Sequence, residues 1–411
     1  MSYGASGNNR VSDFPYITQL SLPRFGGYSF NNAAPTRGAL LTAYGNPDLR
    51  WETTVQANIG YDLSLFKSRL NITADVYRKT TKDLLIEANL PYSTGLYNID
   101  NRATAFKNIG KLRNQGLELT INTVNIDKPN FKWTSNFNIS FNQNKILELY
   151  EDISSITSQV AFDSDFSSVP SYISPVGKSA GNMYGLVWDG VYQYSDFDNI
   201  AGVWQLKSHI TTNGQTNVRP GDIKYKDLNG DLKIDIADFT VIGRGLPIHT
   251  GGFTNNFSYK GFDLNILFQW SYGNDIINAN RLLFEGNAKR LRALNQYATY
   301  ADRWQPDNPS NTLFATGGQR DAYFSSRVVE DGSFLRLKTV ALGYNFEQDL
   351  VKRLKLKTLR AHFSAQNIFT WTKYSGSNPD VSTRHSVLTP GFDFASYPLA
   401  RTIIFGLSTS L

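Results

Sequence analysis

The sequence predicts an all-β protein, a transmembrane antiparallel β-barrel with long extracellular loops. Three observations carry this prediction. Period-two alternation of apolar and polar residues persists through long runs, aromatic residues gather near the ends of those runs, and the connections sort strictly into short and long.

Nine runs alternate, and the clearest is "FKWTSNFNISFNQN". There Phe131, Trp133, Phe137, Ile139 and Phe141 share one face, while Lys132, Thr134, Asn136, Asn138, Ser140 and Asn142 share the other. In "LNITADVY", Leu70, Ile72, Ala74 and Val76 oppose Asn71, Thr73 and Asp75. The pattern recurs at 55–65, 113–124, 251–259, 262–271, 334–346, 359–371 and 401–411. Ordinary strands run ~5–6 residues, whereas a strand tilted across a bilayer needs ~9–11. These runs have the longer dimension. Trp51, Tyr61, Tyr77, Trp133, Phe141, Tyr259, Trp270, Tyr272, Tyr344, Phe346, Phe369 and Trp371 stand near run ends, as two interfacial girdles require.

The connections separate a membrane barrel from a soluble sandwich. "FKSR", "NIDKPN", "KG" and "EQDLVKRLKL" are short, and between them lie the long segments 81–112, 144–247, 275–332 and 373–399. Outer-membrane barrels have short periplasmic turns and long extracellular loops, and loops of this length are improbable inside one compact soluble domain. The last run, 401–411, then descends and leaves the C-terminus in the periplasm. The run at 55–65 also descends, yet residues 1–50 offer no convincing ascending partner and read as an extracellular loop remnant. Residues 51–411 read as the C-terminal part of a larger barrel, because nine strands break the even count of bacterial barrels.

Composition excludes several classes of function. Lys plus Arg is 41 against 35 for Asp plus Glu, a weak and unclustered basic excess of +6 that does not point to nucleic acid. Cysteine is absent, which excludes a disulfide framework and thiolate chemistry. Charged residues make up only 18%, below the roughly one quarter of an average soluble domain. No run of ~18 apolar residues exists to form a membrane helix, and "MSYGASGNNRVSDF" has no signal-peptide h-region.

One stretch carries a metal-ligand pattern. In "YKDLNGDLKIDIADF", Asp227, Asn229, Asp231, Asp235 and Asp238 occupy positions 1, 3, 5, 9 and 12 of a calcium loop, with the Lys233 carbonyl at position 7. Leu232 stands where glycine makes the turn, and Asp238 replaces the longer glutamate. The sequence predicts a structural Ca2+ site at 227–238, within the 144–247 excursion; the alternative is an acidic turn without an ion. "GKSAG" at 177–181 matches the nucleophile-elbow spacing but follows Pro175, so it reads as a glycine-rich turn. His209, His249, His362 and His385 show no ligand spacing, and no enzyme is predicted. Trp188, Tyr192, Tyr194 and Trp204 fit sugar stacking, loop packing or contact with a lid equally well.

Beyond these patterns, several stretches resemble one family. "NPDLRWETTVQANIGYDLSLFKSRLNITADVYRKTTKDLL", "NIGKLRNQGLELTI", "VGKSAGNMYGLVWDGVYQ", "PGDIKYKDLNGDLKIDIADFTVIGRGLP", "DGSFLRLKTVALGYNF" and "LRAHFSAQNIFTWTKYSGSNPDVS" are similar, in collinear order, to TonB-dependent outer-membrane transporters of the SusC/RagA type. The resemblance implies a 22-stranded barrel, import of glycan oligosaccharides or peptides, coupling to TonB, and a SusD-like surface lipoprotein as lid. The TonB box and plug of that family are not represented, and Leu411 stands where the family ends in an aromatic. The alternative is a plug-less remnant acting as a passive pore or a surface binding scaffold.

Overall fold

A computed structural model describes residues 1–8, 16–21, 27–89, 97–98, 101–102, 104–149, 153–215, 217–286, 294–319, 322–383 and 386–410. His385 and Leu411 lie outside the described residues. Ten strands form one sheet in which every strand pairs with its neighbour in the chain. They are β1 (Ser2–Asn8), β2 (Glu52–Leu65), β3 (Leu70–Lys82), β4 (Lys111–Lys128), β5 (Phe131–Glu148), β6 (His249–Tyr259), β7 (Phe262–Tyr272), β8 (Phe334–Asn345), β9 (Thr358–Thr372) and β10 (Thr402–Ser410). All nine pairings are antiparallel.

Two features correct the sequence reading. Residues 1–50 contain a strand after all: Ser2–Asn8 pairs with β2, from Ser2↔Asn58 to Asn8↔Glu52. Its outward positions are Tyr3, Ala5 and Gly7, and with one large ring and two small residues they do not register as alternation. The strands also outrun their alternating cores, with 18 residues each in β4 and β5. Pairing continues past the level where an apolar face is needed, since backbone hydrogen bonds do not depend on side-chain polarity. The short turns are tight. Between β6 and β7, Lys260 and Gly261 both have positive φ, 43° and 87°, the conformation of a type I′ hairpin turn.

Register sorts the two faces. Ile59, Val76, Leu117, Phe141, Phe253, Tyr272, Leu342, Ile403 and Phe405 fall on one face and stay exposed to the surroundings. So wide an apolar surface marks contact with lipid. Rings gather at two levels. Phe131 meets Tyr259 at 6.4 Å and Phe262 meets Tyr344 at 4.3 Å near the short turns, while Phe141, His249 and Tyr272 stack at 5.3 and 5.1 Å near the long loops. From Phe131 to Phe141 a strand tilted by 35–45° rises about 25 Å, the height of an outer-membrane apolar band. Tyr77 is the exception among the predicted girdle residues. It lies on the opposite face, lying over Gly116 and donating to Asn142 Oδ1 at 3.0 Å. Inside the outward face a polar cluster satisfies itself: Asn255 Oδ1 accepts from Trp133 Nε1 at 3.0 Å and from Ser135 Oγ at 2.8 Å.

A sheet with lipid on one side and a polar lumen on the other has no core, and the protein builds its core elsewhere. The long excursions fold together. Val160, Phe166, Tyr172 and Met183 from 144–247 (the first excursion), Ile277, Leu282, Phe324 and Val328 from 275–332 (the second), and Phe392 from 373–399 (the third) form one buried cluster. A second joins Leu186, Val191, Ile223, Tyr225 and Ile234 to Trp304, Leu313 and Phe314. Each such side chain, fully buried, contributes about 1.5–3 kcal/mol.

The face assignment makes a direct prediction. Phe137 points outward between the two ring levels and Asn138 points inward, so Phe137→Arg should destabilise the complete receptor by about 2–4 kcal/mol. Asn138→Arg should be far milder. Denaturant titrations in lipid check this, and equal losses from both variants would contradict the faces.

Candidate functional site

The inner face is a continuous polar surface. Asn136 donates to Asn122 Oδ1 at 2.7 Å, and Asn265 donates to Asn256 Oδ1 at 2.7 Å. Near the short-turn end, Arg360 grips Asp263 with two hydrogen bonds of 2.5 and 2.8 Å. The guanidinium crosses the intervening strand β8 above Gly343, where a Cβ would lie 2.1 Å from Arg360 Nη2. Only glycine leaves that passage open.

Toward the long-loop end the third excursion folds over this face. Arg336, only 1% exposed, donates to Asn378 Oδ1 at 2.7 Å and to Thr370 Oγ1 at 3.1 Å, and pairs with Asp380 at 3.4 Å. Beneath the loop lies a cavity of about 530 Å³, lined by Asn138, Thr250, Gln269, Lys338 and Asp380. Lys338 is the extra residue of a β-bulge, which turns its side chain into the cavity. Such a lining offers donors and acceptors in many directions and one cation–anion pair, a surface for hydrated polar solutes.

The excursions around this cavity are locked by ions as well as by packing. Arg281 bridges Glu285 at 2.6 Å and Glu330 at 3.2 Å, and Arg327 bridges Glu285 at 2.9 Å. Burial, with Arg281 beside it, lowers the Arg327 guanidinium to about 10. Glu330 also accepts from the Ser375 amide at 2.8 Å, which ties the second excursion to the third. Burial pushes the Tyr374 hydroxyl well above its ordinary value, and it donates to Asp393 Oδ2 at 2.5 Å.

The predicted calcium loop is a correction. Its residues come together, but their oxygens are turned onto the backbone. Asp227 accepts from the amides of Gly230 and Leu232 at 2.6 and 2.8 Å, Asn229 from Asp231 at 3.0 Å, and Asp231 from Lys233 at 2.9 Å. Asp235 caps the Ala237 amide, while the buried Asp238 accepts from Leu228 at 2.8 Å and Asp235 at 3.0 Å. Leu232 adopts φ 64°, doing without glycine at the tight turn. Among the described residues, no group of three or more His, Cys, Asp or Glu is placed to hold a metal ion, so the Ca2+ reading is overturned. Spacing alone could not separate a metal cage from a chain of aspartate turns, because both need the same short acceptors.

The remaining motifs are structural. "GKSAG" joins two antiparallel strands, with positive φ at Gly177 and Gly181 and Ser179 Oγ donating to Asn144. His249 accepts from Trp270 Nε1 at 3.2 Å within the outer ring belt, and His362 packs beside Gly406. Tyr192 is buried in the loop core and Tyr194 packs on Trp204 and Trp304 at 4.9 and 5.4 Å. Trp188 donates to the Gly190 carbonyl and packs on the second cluster. Sequence reasoning missed Arg336, Glu330 and Arg327. Their partners lie 34 to 49 residues away, and no local pattern announces them.

An antiparallel meander with one lipid-matched face, one polar face and its long excursions at a single end defines an outer-membrane β-barrel. Residues 11–272 match the family model described as TonB dependent receptor-like, beta-barrel. The chain belongs to that family, in its SusC/RagA branch, a family of receptors and transporters and not of enzymes. It is 36% identical over 442 residues to TonB-dependent receptor P39 of Formosa agariphila, covering 99% of this chain and 39% of that protein. To TonB-dependent receptor SusC of Bacteroides thetaiotaomicron it is 28% identical over 369 residues, covering 88% and 32%. It superposes on the RagAB peptide transporter with TM-score 0.76 at 22% identity, over 100% of this chain and 40% of that one, a likeness of fold. The chain thus spans about two fifths of the length of the relatives it matches.

Three outcomes follow for the excursions. Desolvation pushes the Asp227 carboxyl up, but the amides of Gly230 and Leu232 outweigh it and hold the group below its ordinary 3.8. The order it lends to the turn is therefore complete above 3.8 and fades as pH falls through the folded value. Asp238→Ala strands two amides and should loosen residues 227–240 by about 1–3 kcal/mol, read by hydrogen exchange, while chelator should change nothing. Glu330→Ala should expose 373–383 to protease without loosening the sheet, at a cost of about 1.5–3 kcal/mol to loop opening.

Proposed function

We propose that this chain is the C-terminal part of the barrel of a TonB-dependent importer, closing a 22-stranded pore with the segments that complete it. The long excursions stand outside the cell, the short turns and the C-terminus in the periplasm. The cargo is a glycan oligosaccharide, admitted beneath a SusD-like lipoprotein lid and released by TonB acting through the plug. The observation that carries this reading is the polar inner face beneath the folded excursions, with Asn138, Thr250 and Gln269 lining its cavity. Two ion pairs stand on this face, Arg360 with Asp263 and Arg336 with Asp380, and amides and hydroxyls make up much of the cavity's polar lining, which suits a neutral hydroxyl-rich cargo. RagAB is named a peptide transporter, so peptide is the competing outcome of the test.

The test uses cells carrying the complete receptor. Uptake of oligosaccharide should vanish when the proton gradient is collapsed and fall sharply in Asn138→Trp/Gln269→Trp, which fills the cavity. Peptide uptake with no oligosaccharide uptake would reassign the cargo, and uptake that survives uncoupling would leave a passive pore. Orientation has its own readout, since the chain has no cysteine. An impermeant maleimide should label Ala201→Cys in intact cells, and Lys67→Cys only after the outer membrane is opened.

A further inference from the structure

Above the upper ring level the outward face changes chemistry abruptly. Register sets Ile59, Val76, Leu117 and Phe141 in one row across β2 to β5. The next row is Ala57, Arg78, Gln115 and Gln143, and the one beyond is Val55, Thr80, Arg113 and Lys145. Lys82 and Lys111 follow, with Glu148 opposite Lys111. No acidic side chain stands in the first three rows. The nearby acids Asp62, Asp75 and Glu118 fall at inner-face positions, in register with Thr73, Gly60 and Ser140.

Among the described residues, the ion pairs involve other arginines and lysines, none of them Arg78, Arg113 or Lys145. Arg113 Nε is buried without a hydrogen-bond partner. A cavity of about 710 Å³ spans the boundary, with Ile59, Val76 and Phe141 on its apolar side and Arg78, Gln115 and Arg244 on its polar side. Arg244 is held there by its amide on Asp275 Oδ2 at 2.7 Å and its Nε on the Leu246 carbonyl at 2.9 Å. An apolar floor continuous with the lipid-facing surface, rimmed by Arg78 and Arg244 with Arg113 and Lys145 in the row beyond Arg78, has the layout of a lipid's acyl–phosphate junction.

We propose that this collar binds the phosphate of an outer-leaflet glycolipid headgroup, with acyl chains resting on the row Ile59, Val76, Leu117 and Phe141. The site is outside the pore and independent of cargo. It rests on the excursions facing outward, which the Ala201→Cys labelling reports separately in the same cells.

The test takes the complete receptor in detergent with three probes: a diphosphorylated glycolipid, the same lipid dephosphorylated, and inorganic phosphate. The diphosphorylated lipid should raise the unfolding temperature of wild type and remain bound in native mass spectra. Arg78→Gln/Arg113→Gln should weaken that binding roughly ten-fold or more, Arg78→Lys/Arg113→Lys should keep most of it, and the inner-face control Lys79→Gln should keep all. Equal binding by wild type and the Gln variant, or equal stabilisation by the dephosphorylated lipid or by inorganic phosphate, overturns the proposal. If external labelling fails while binding holds, the orientation is wrong and the collar stands as a lipid site of the other leaflet.

Discussion

In hydrocarbon no water is available to a free amide or carbonyl, and each unsatisfied group costs several kcal/mol. The ten-strand ladder answers that demand, and everything else in the protein is arranged around it. Because pairing is the first requirement, strands continue through sequence with little apolar character, as in Ser2–Asn8. Because side chains then alternate, one face is given to lipid and the other to the lumen. Polar residues that fall on the lipid side are tolerated when they find partners there, as Asn255 does with Trp133 and Ser135.

The same demand moves the hydrophobic core out of the membrane. A one-layer sheet between lipid and water has nothing to pack against, so among the described residues the buried apolar clusters lie where chain leaves the sheet. The excursions behave as a small mixed domain tethered at several points to strand ends. Glu330 links two of them and Arg336 seats the third on the inner face. Glycines inside strands serve a related purpose. At Gly116 and Gly343 the missing side chain lets Tyr77 and Arg360 cross to a third strand, so inner-face contacts reach beyond nearest neighbours.

Function then belongs to surfaces more than to a catalytic cluster. The inner face offers polar groups to solute, the folded excursions stand over one end of it, and the outward collar presents basic side chains beside an apolar row. Each rests on a different residue pattern, so each can be altered with the ladder left intact.

Much of this was legible in the chain itself. Alternation named the faces of the long strands except where a bulge shifts the phase, as at Lys338 in β8, since a period of two fixes the faces once a strand is regularly paired. Turn lengths separated the two ends, because a two-residue link such as Lys260–Gly261 admits only a hairpin. The resemblance to a transporter family rested on residues along nearly the whole length. What tertiary structure decided was everything that depends on partners distant in sequence. Whether Asp227 and Asp238 served a metal or amides turned on where a few backbone donors pointed, and Leu232 in a left-handed conformation closed the turn around them. The packing of Tyr192, the meeting of Arg327 with Glu285 and the seat of Arg336 required excursions to fold on one another. Local patterns encode periodicity and turns because those are properties of neighbouring residues, whereas a contact between loops is set by the closure of the whole chain.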